Sequence, residues 1–122
     1  MTDHDADVAP TIVPPLDLAR IRRFAETHMA PSVRDQVRLE VEVGRSTVTL
    51  VEMRAPWRRE YGPDWTRTAI ASLRYSQKNG GWSLFWMDSN GAWHRYSAAA
   101  PAPHVGPLLD EMDRDPRAVF WG

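Results

Sequence analysis

"VRLEVEVGRSTVTLVEMR", Val37 to Arg54, decides how this chain folds. Val37, Leu39, Val41 and Val43 alternate with Arg38, Glu40 and Glu42. Successive side chains of a strand point to opposite faces, so this alternation predicts a half-buried strand. Gly44-Arg45 can reverse the chain, with glycine permitting a positive φ. In the returning strand, Ser46, Val48, Leu50, Glu52 and Arg54 share one face by parity. Thr47, Thr49, Val51 and Met53 share the other, unless a bulge intervenes.

The pattern continues downstream. "RAPWRREYGPDWTRT" is rich in proline, glycine and charge and reads as a long connection. "AIASLRYSQ" predicts a third strand, with Leu73 and Tyr75 on one side and Arg74 on the other. Asn79-Gly80-Gly81 turns it into a fourth strand, Trp82 to Met87. Asn90-Gly91 is the strongest hairpin signal and predicts a fifth, Trp93 to Tyr96. Two registers fit that hairpin. A two-residue turn sets Trp86 against Arg95. A loop of Asp88 to Gly91 sets Trp86 against Trp93.

Upstream, "LDLARIRRFAETHMA" predicts a helix with Leu18, Ile21, Phe24 and Ala25 on one face and His28 or Met29 extending it. Asp17 is expected to cap the first turn, and Leu16 with Ile21 to form a hydrophobic staple. Pro31 stops the helix near Ala30. Near the end, Pro107 opens a short helix whose apolar side is Leu108, Leu109 and Met112, and Asp115-Pro116 closes it. Phe120 and Trp121 are expected to dock on the domain or on a partner. The whole predicts one α+β domain over residues 14–122, behind an acidic tail at 1–13. Its five-stranded, mostly antiparallel sheet carries an N-terminal helix and a short C-terminal helix.

Composition narrows the chemistry. The 122 residues hold no cysteine, which excludes disulfides, thiolate nucleophiles and cysteine-bound zinc. No run suggests a secretion signal or a membrane span, so a cytoplasmic, non-membrane protein is expected. The net charge of -1 is unevenly spread. Arg54 to Lys78 holds six basic residues against two acidic ones, whereas the stretch from Pro101 onward is acidic. A basic middle and an acidic end suit attraction across a homodimer or ordinary solvated surface, and the basic stretch suits an anionic ligand or nucleic acid.

Candidate functional residues fall in two places. Glu52 and Arg54 share a strand face, with Trp57 and Arg74 as further candidates. The corner reads first as a charge network at the sheet edge and second as an anion-binding or catalytic corner that Arg58, Arg59 and Arg67 can join. The ribbon "WSLFWMDSNGAWHRY" adds Trp86, Trp93 and His94; it reads first as packing material and second as a ring-stacking platform. His4, His28, His94 and His104 form no metal-binding spacing, no glycine-rich phosphate loop occurs, and no serine sits in a nucleophile elbow. No cofactor is implied.

"VRLEVEVGRSTVTLVEMRAPW", "WTRTAIASLRYSQKNGGWSLFWMDSNGAWHRY", "LLDEMDRDP" and the terminal "FWG", in that order, resemble the uncharacterised bacterial proteins grouped as domain of unknown function 3024. The spacing of Glu52, Arg54 and Trp57, then of Tyr75, Trp82, Trp86, Trp93 and Tyr96, carries the likeness. The resemblance implies a compact intracellular domain and no particular activity. Three functions remain open at this point. The first is a small non-enzymatic binding or accessory protein, self-associating as a homodimer. The second is a nucleic-acid binder using the basic 54–78 region. The third is a hydrolase or nuclease, with or without a metal, built on Glu52, Asp88 and His94.

Overall fold

The computed structural model describes residues 10–29, 31–33, 35–56, 58, 60 and 62–121. Trp57, Arg59 and residues 1–9 of the acidic tail lie outside the described residues. Helix α1 (Pro15–His28) precedes strands β1 (Val37–Val43), β2 (Thr47–Arg54), β3 (Thr66–Ser76), β4 (Gly81–Met87) and β5 (Trp93–Arg95), and helix α2 (Gly106–Arg114) follows. The strands form one antiparallel meander in the order β1-β2-β3-β4-β5. Both helices pack on one face. This is the α+β architecture expected.

The core lies between that face and the helices. β2 and β3 supply Val48, Leu50, Ala71 and Leu73; β4 supplies Trp82 and Leu84; the helices supply Ile21, Ala25, Leu108 and Met112. Burying each Val, Leu, Ile or Met side chain among them stabilises the fold by roughly 1.5–3 kcal/mol. Residues 10–13 are attached ahead of α1: the Ile12 amide donates to the Arg45 carbonyl at 2.7 Å, and Val13 enters the core.

Three local expectations need correcting. Asp17 does not cap α1. The helix starts at Pro15 with Pro14 as its N-cap, and no side chain caps it. Asp17 is instead buried and accepts the Trp82 indole N–H at 2.9 Å and the Val105 amide at 3.2 Å. Nor is there a staple, because Leu16 is 67% exposed.

The β4–β5 hairpin adopts neither expected register. Phe85 faces Arg95, Trp86 faces His94 and Met87 faces Trp93. Asp88 and Ala92 close a three-residue loop in which Gly91 takes φ +82°. The Asp88 carboxylate accepts the amides of Asn90 and Ala92, which fixes the odd loop length.

A bulge falls on β3, leaving β2 with its expected parity. Leu50 pairs with Ala71 and Val51 with Ala69, so Ile70 has no partner in that ladder. Past a bulge, side chains exchange faces. Arg67 therefore joins Arg74 on the face without helices.

Candidate functional site

The helix-free face follows from register. Across β1, β2 and β3 it carries Arg38, Met53 and Arg67 in one row, then Glu40, Val51 and Ala69. Glu42, Thr49, Ser72, Phe85 and Arg95 form the longest row, which crosses the whole sheet. Thr47, Arg74 and Ser83 form another, and Met87 faces Trp93 at the β5 edge.

Charge divides this face. On its β1 side the cations are matched: Arg38 meets Glu40 at 3.1 Å and also lies 4.4 Å from the Trp65 ring centre, while Arg67 pairs with Glu42. On its β5 side, neither Arg74 nor Arg95 has an ion-pair partner among the described residues. The Arg74 guanidinium lies 3.9 Å above the Phe85 ring, and its Nε donates to the buried Ser72 hydroxyl at 3.3 Å. A guanidinium held over a ring keeps its other donors in a fixed fork. Phe85, and Met87 and Trp93 one row further along, are only half buried.

Glu52 and Arg54 stand elsewhere. By parity they continue the helix-covered face past its core, with Arg54 Nε donating to Glu52 Oε1 at 2.7 Å. Arg54 lines an open cleft of about 890 Å³ with Gln36, Val37, Ala55, Pro56, Asp64 and Thr66. Glu52 and Asp64 give this arginine carboxylate company, so the described part of the corner is no strong anion site. Arg58 pairs with Glu60 at 3.4 Å on the connecting loop.

His94 and Trp86 lie on the helix side of the β4–β5 pair, with ring centres 4.8 Å apart and an interplanar angle of 28°. His94 Nε2 is 2.6 Å from Asp88 Oδ2. That bond, then the Ala92 amide, holds the Asp88 carboxyl below its usual value of 3.8. Glu52 does not join this pair. It is three strands from His94, roughly 14 Å at ordinary strand spacing.

Seven of the ten sequence candidates divide among three places. Arg67, Arg74 and Trp93 share the helix-free face; Trp86 and His94 form the hairpin stack; Glu52 and Arg54 form the corner. Arg58 is on the loop, and Trp57 and Arg59 lie outside the described residues. Phe85, Met87 and Arg95 were not among the candidates. The signal that finds them is the one hairpin register that pairs Phe85 with Arg95.

The family model for Domain of unknown function (DUF3024) matches residues 10–122, nearly the whole chain. The chain belongs to the DUF3024 family. No curated protein and no solved structure matches it. The DUF3024 description names no activity. Among the described residues of this DUF3024 chain, no group of three or more His, Cys, Asp or Glu side chains is placed to hold a metal. Among the same residues, no helix is long and apolar enough to cross a membrane.

Proposed function

We propose that this protein is a non-enzymatic binding domain that takes single-stranded nucleic acid on the β5 side of its helix-free sheet face. One observation carries the reading: Arg74 lies over the Phe85 ring, Arg95 faces Phe85 across the hairpin, half-buried Met87 and Trp93 form the next row, and neither arginine has an ion-pair partner among the described residues. Single strands are recognised by rings that stack on bases, beside cations that meet phosphates. Open sheets suit this because their side chains stand in regular rows. The basic 54–78 region contributes less than its composition promised, since Arg58 and Arg67 are paired with carboxylates.

Self-association as a homodimer has less support. The rings that suggested a partner, Phe120 and Trp121, pack against Tyr96, His28 and Phe24 of their own chain. Two copies meeting face to face would also set unmatched arginines near each other. A hydrolase built on Glu52, Asp88 and His94 loses its first member to distance.

The test is a titration of labelled single-stranded and duplex oligonucleotides at two salt concentrations. Single strands should bind more tightly, and affinity should fall with salt, the logarithmic slope being about -0.7 per phosphate contacted. Absent saturation at low salt, or affinity indifferent to salt, would remove the reading.

A further inference from the structure

We propose a second binding site, for a small oxyanion carried on a flat ring, in the recess beside β5. The recess has a volume of about 460 Å³, and Trp86, His94, Arg95, Tyr96, Ser97 and Arg117 are among its lining. That volume lies in the range of small-molecule sites. It rests on Arg117 and the Trp86–His94 stack, which lie off the open face; Arg95, whose side chain belongs to that face, only borders the recess.

The lining has the chemistry of an anion pocket with an aromatic wall. Arg117, His94, Ser97 and Tyr96 supply its polar groups, Arg95 borders it from β5, and no Asp or Glu is among its lining. The nearby carboxylates are engaged elsewhere. Asp88 holds His94 and two loop amides. Glu111 accepts the Tyr96 hydroxyl at 3.2 Å and pairs with Arg114 at 2.7 Å. Asp115 accepts the amides of Val119, Phe120 and Trp121. Arg95 and Arg117 are exposed and have no ion-pair partner among the described residues.

The wall is held in place. His94 stacks on Trp86 and is tethered by Asp88, yet its side chain remains 46% exposed. A planar group can lie along these rings while its oxyanion meets Arg117.

Phenyl phosphate, benzoate, inorganic phosphate and benzylamine distinguish the possibilities, read by calorimetry and tryptophan fluorescence on the whole chain. Saturable binding of phenyl phosphate alone assigns a phosphate ester, and of benzoate alone a carboxylate; binding of both assigns the oxyanion class as a whole. Inorganic phosphate should bind roughly tenfold more weakly than phenyl phosphate if the rings contribute, and benzylamine should not bind. Arg117→Ala should weaken the favoured probe by about tenfold or more, with Arg117→Lys between them, because only arginine offers a two-pronged donor. Arg74→Ala should leave this binding intact while weakening oligonucleotide binding, so the two sites fail separately. No saturation of the wild-type chain by any oxyanion up to about 10 mM, benzylamine binding as well as benzoate, or indifference to Arg117→Ala would overturn the proposal.

Discussion

The Asp17 carboxylate accepts the indole N–H of Trp82 at 2.9 Å, across 65 positions of sequence and with both residues buried. Its other oxygen accepts the Val105 amide at 3.2 Å. One carboxylate thus ties α1 to β4 and to the segment entering α2. Its place in the first turn of α1 favours its charge, and Arg20 at 3.6 Å adds an exposed partner of small worth.

Asp17→Ala should therefore destabilise the fold by about 2–4 kcal/mol, because two buried donors lose their acceptor. Trp82→Phe leaves the carboxylate its amide partner and should cost less through this contact. Urea midpoints of both single variants and the double variant measure the coupling. Additive losses would show that the hydrogen bond contributes nothing beyond packing.

The C-terminal segment is built on Asp115. It takes the left-handed conformation at the end of α2, and its carboxylate gathers the amides of residues 119 to 121. Trp121 Nε1 then donates to the Met112 carbonyl at 2.6 Å, and Phe120 enters the core against Tyr96. Phe120→Ala should cost about 3–5 kcal/mol. Asp115→Asn keeps an acceptor and should cost less than Asp115→Ala. Equal melting temperatures for the two Asp115 variants would mean that the gathered amides do not depend on the side chain.

Two glycines separate steric from conformational need. Gly81 and Gly91 both have positive φ, +111° and +82°. A Cβ at Gly81 would fall 2.4 Å from the Ala102 carbonyl oxygen, since Trp82 and Ala102 bridge there, whereas at Gly91 it would meet nothing within 4 Å. Gly91→Ala should cost about 1–2 kcal/mol, the backbone term alone. Gly81→Ala should cost more and loosen the 101–103 segment, measurable as faster amide exchange at Ala102 and Trp82.

The strands were legible in sequence because burial of one face imposes a period of two, which β1 carries in the alternation of its apolar and charged residues. Less legible was anything set by a side chain reaching distant backbone. Asp17 resembles a cap locally, and only the fold brings Trp82 to it. The hairpin loop has an odd length because Asp88 captures two amides, which an Asn-Gly pair alone does not specify. The bulge at Ile70 has no composition signal, yet it decides that Arg67 shares a face with Arg74. A candidate site gathered from neighbouring sequence positions was therefore divided by parity.

His28 gives the fold a pH dependence of definite sign. Burial holds its imidazole below the ordinary value of 6.5, outweighing the opposite pull of Asp113 and Glu52. It lies 4.0 Å from the Trp121 ring centre and 5.4 Å from that of Phe24. A histidine with a depressed folded value binds its proton more readily when unfolded. Its contribution is complete above pH 6.5 and drains as pH falls from there through the folded value. Wild-type stability should drop relative to His28→Gln across that window. Parallel pH profiles for the two proteins would show that His28 is not the group responsible.

Phe85 offers the sharpest separation of function from stability. Its ring supports Arg74 on a face that no helix covers, so removing it opens no central cavity. Phe85→Leu keeps most of the apolar bulk and removes the aromatic face. The thermal midpoint should move little. Oligonucleotide affinity should fall by roughly 5- to 100-fold if a base stacks there or Arg74 loses its orientation. Arg74→Lys tests the same arrangement from the other partner, keeping the charge and losing the planar fork. If both variants bind single strands as wild type does, the nucleic acid does not engage this stack. If both lose stability and affinity together, the ring serves the sheet alone.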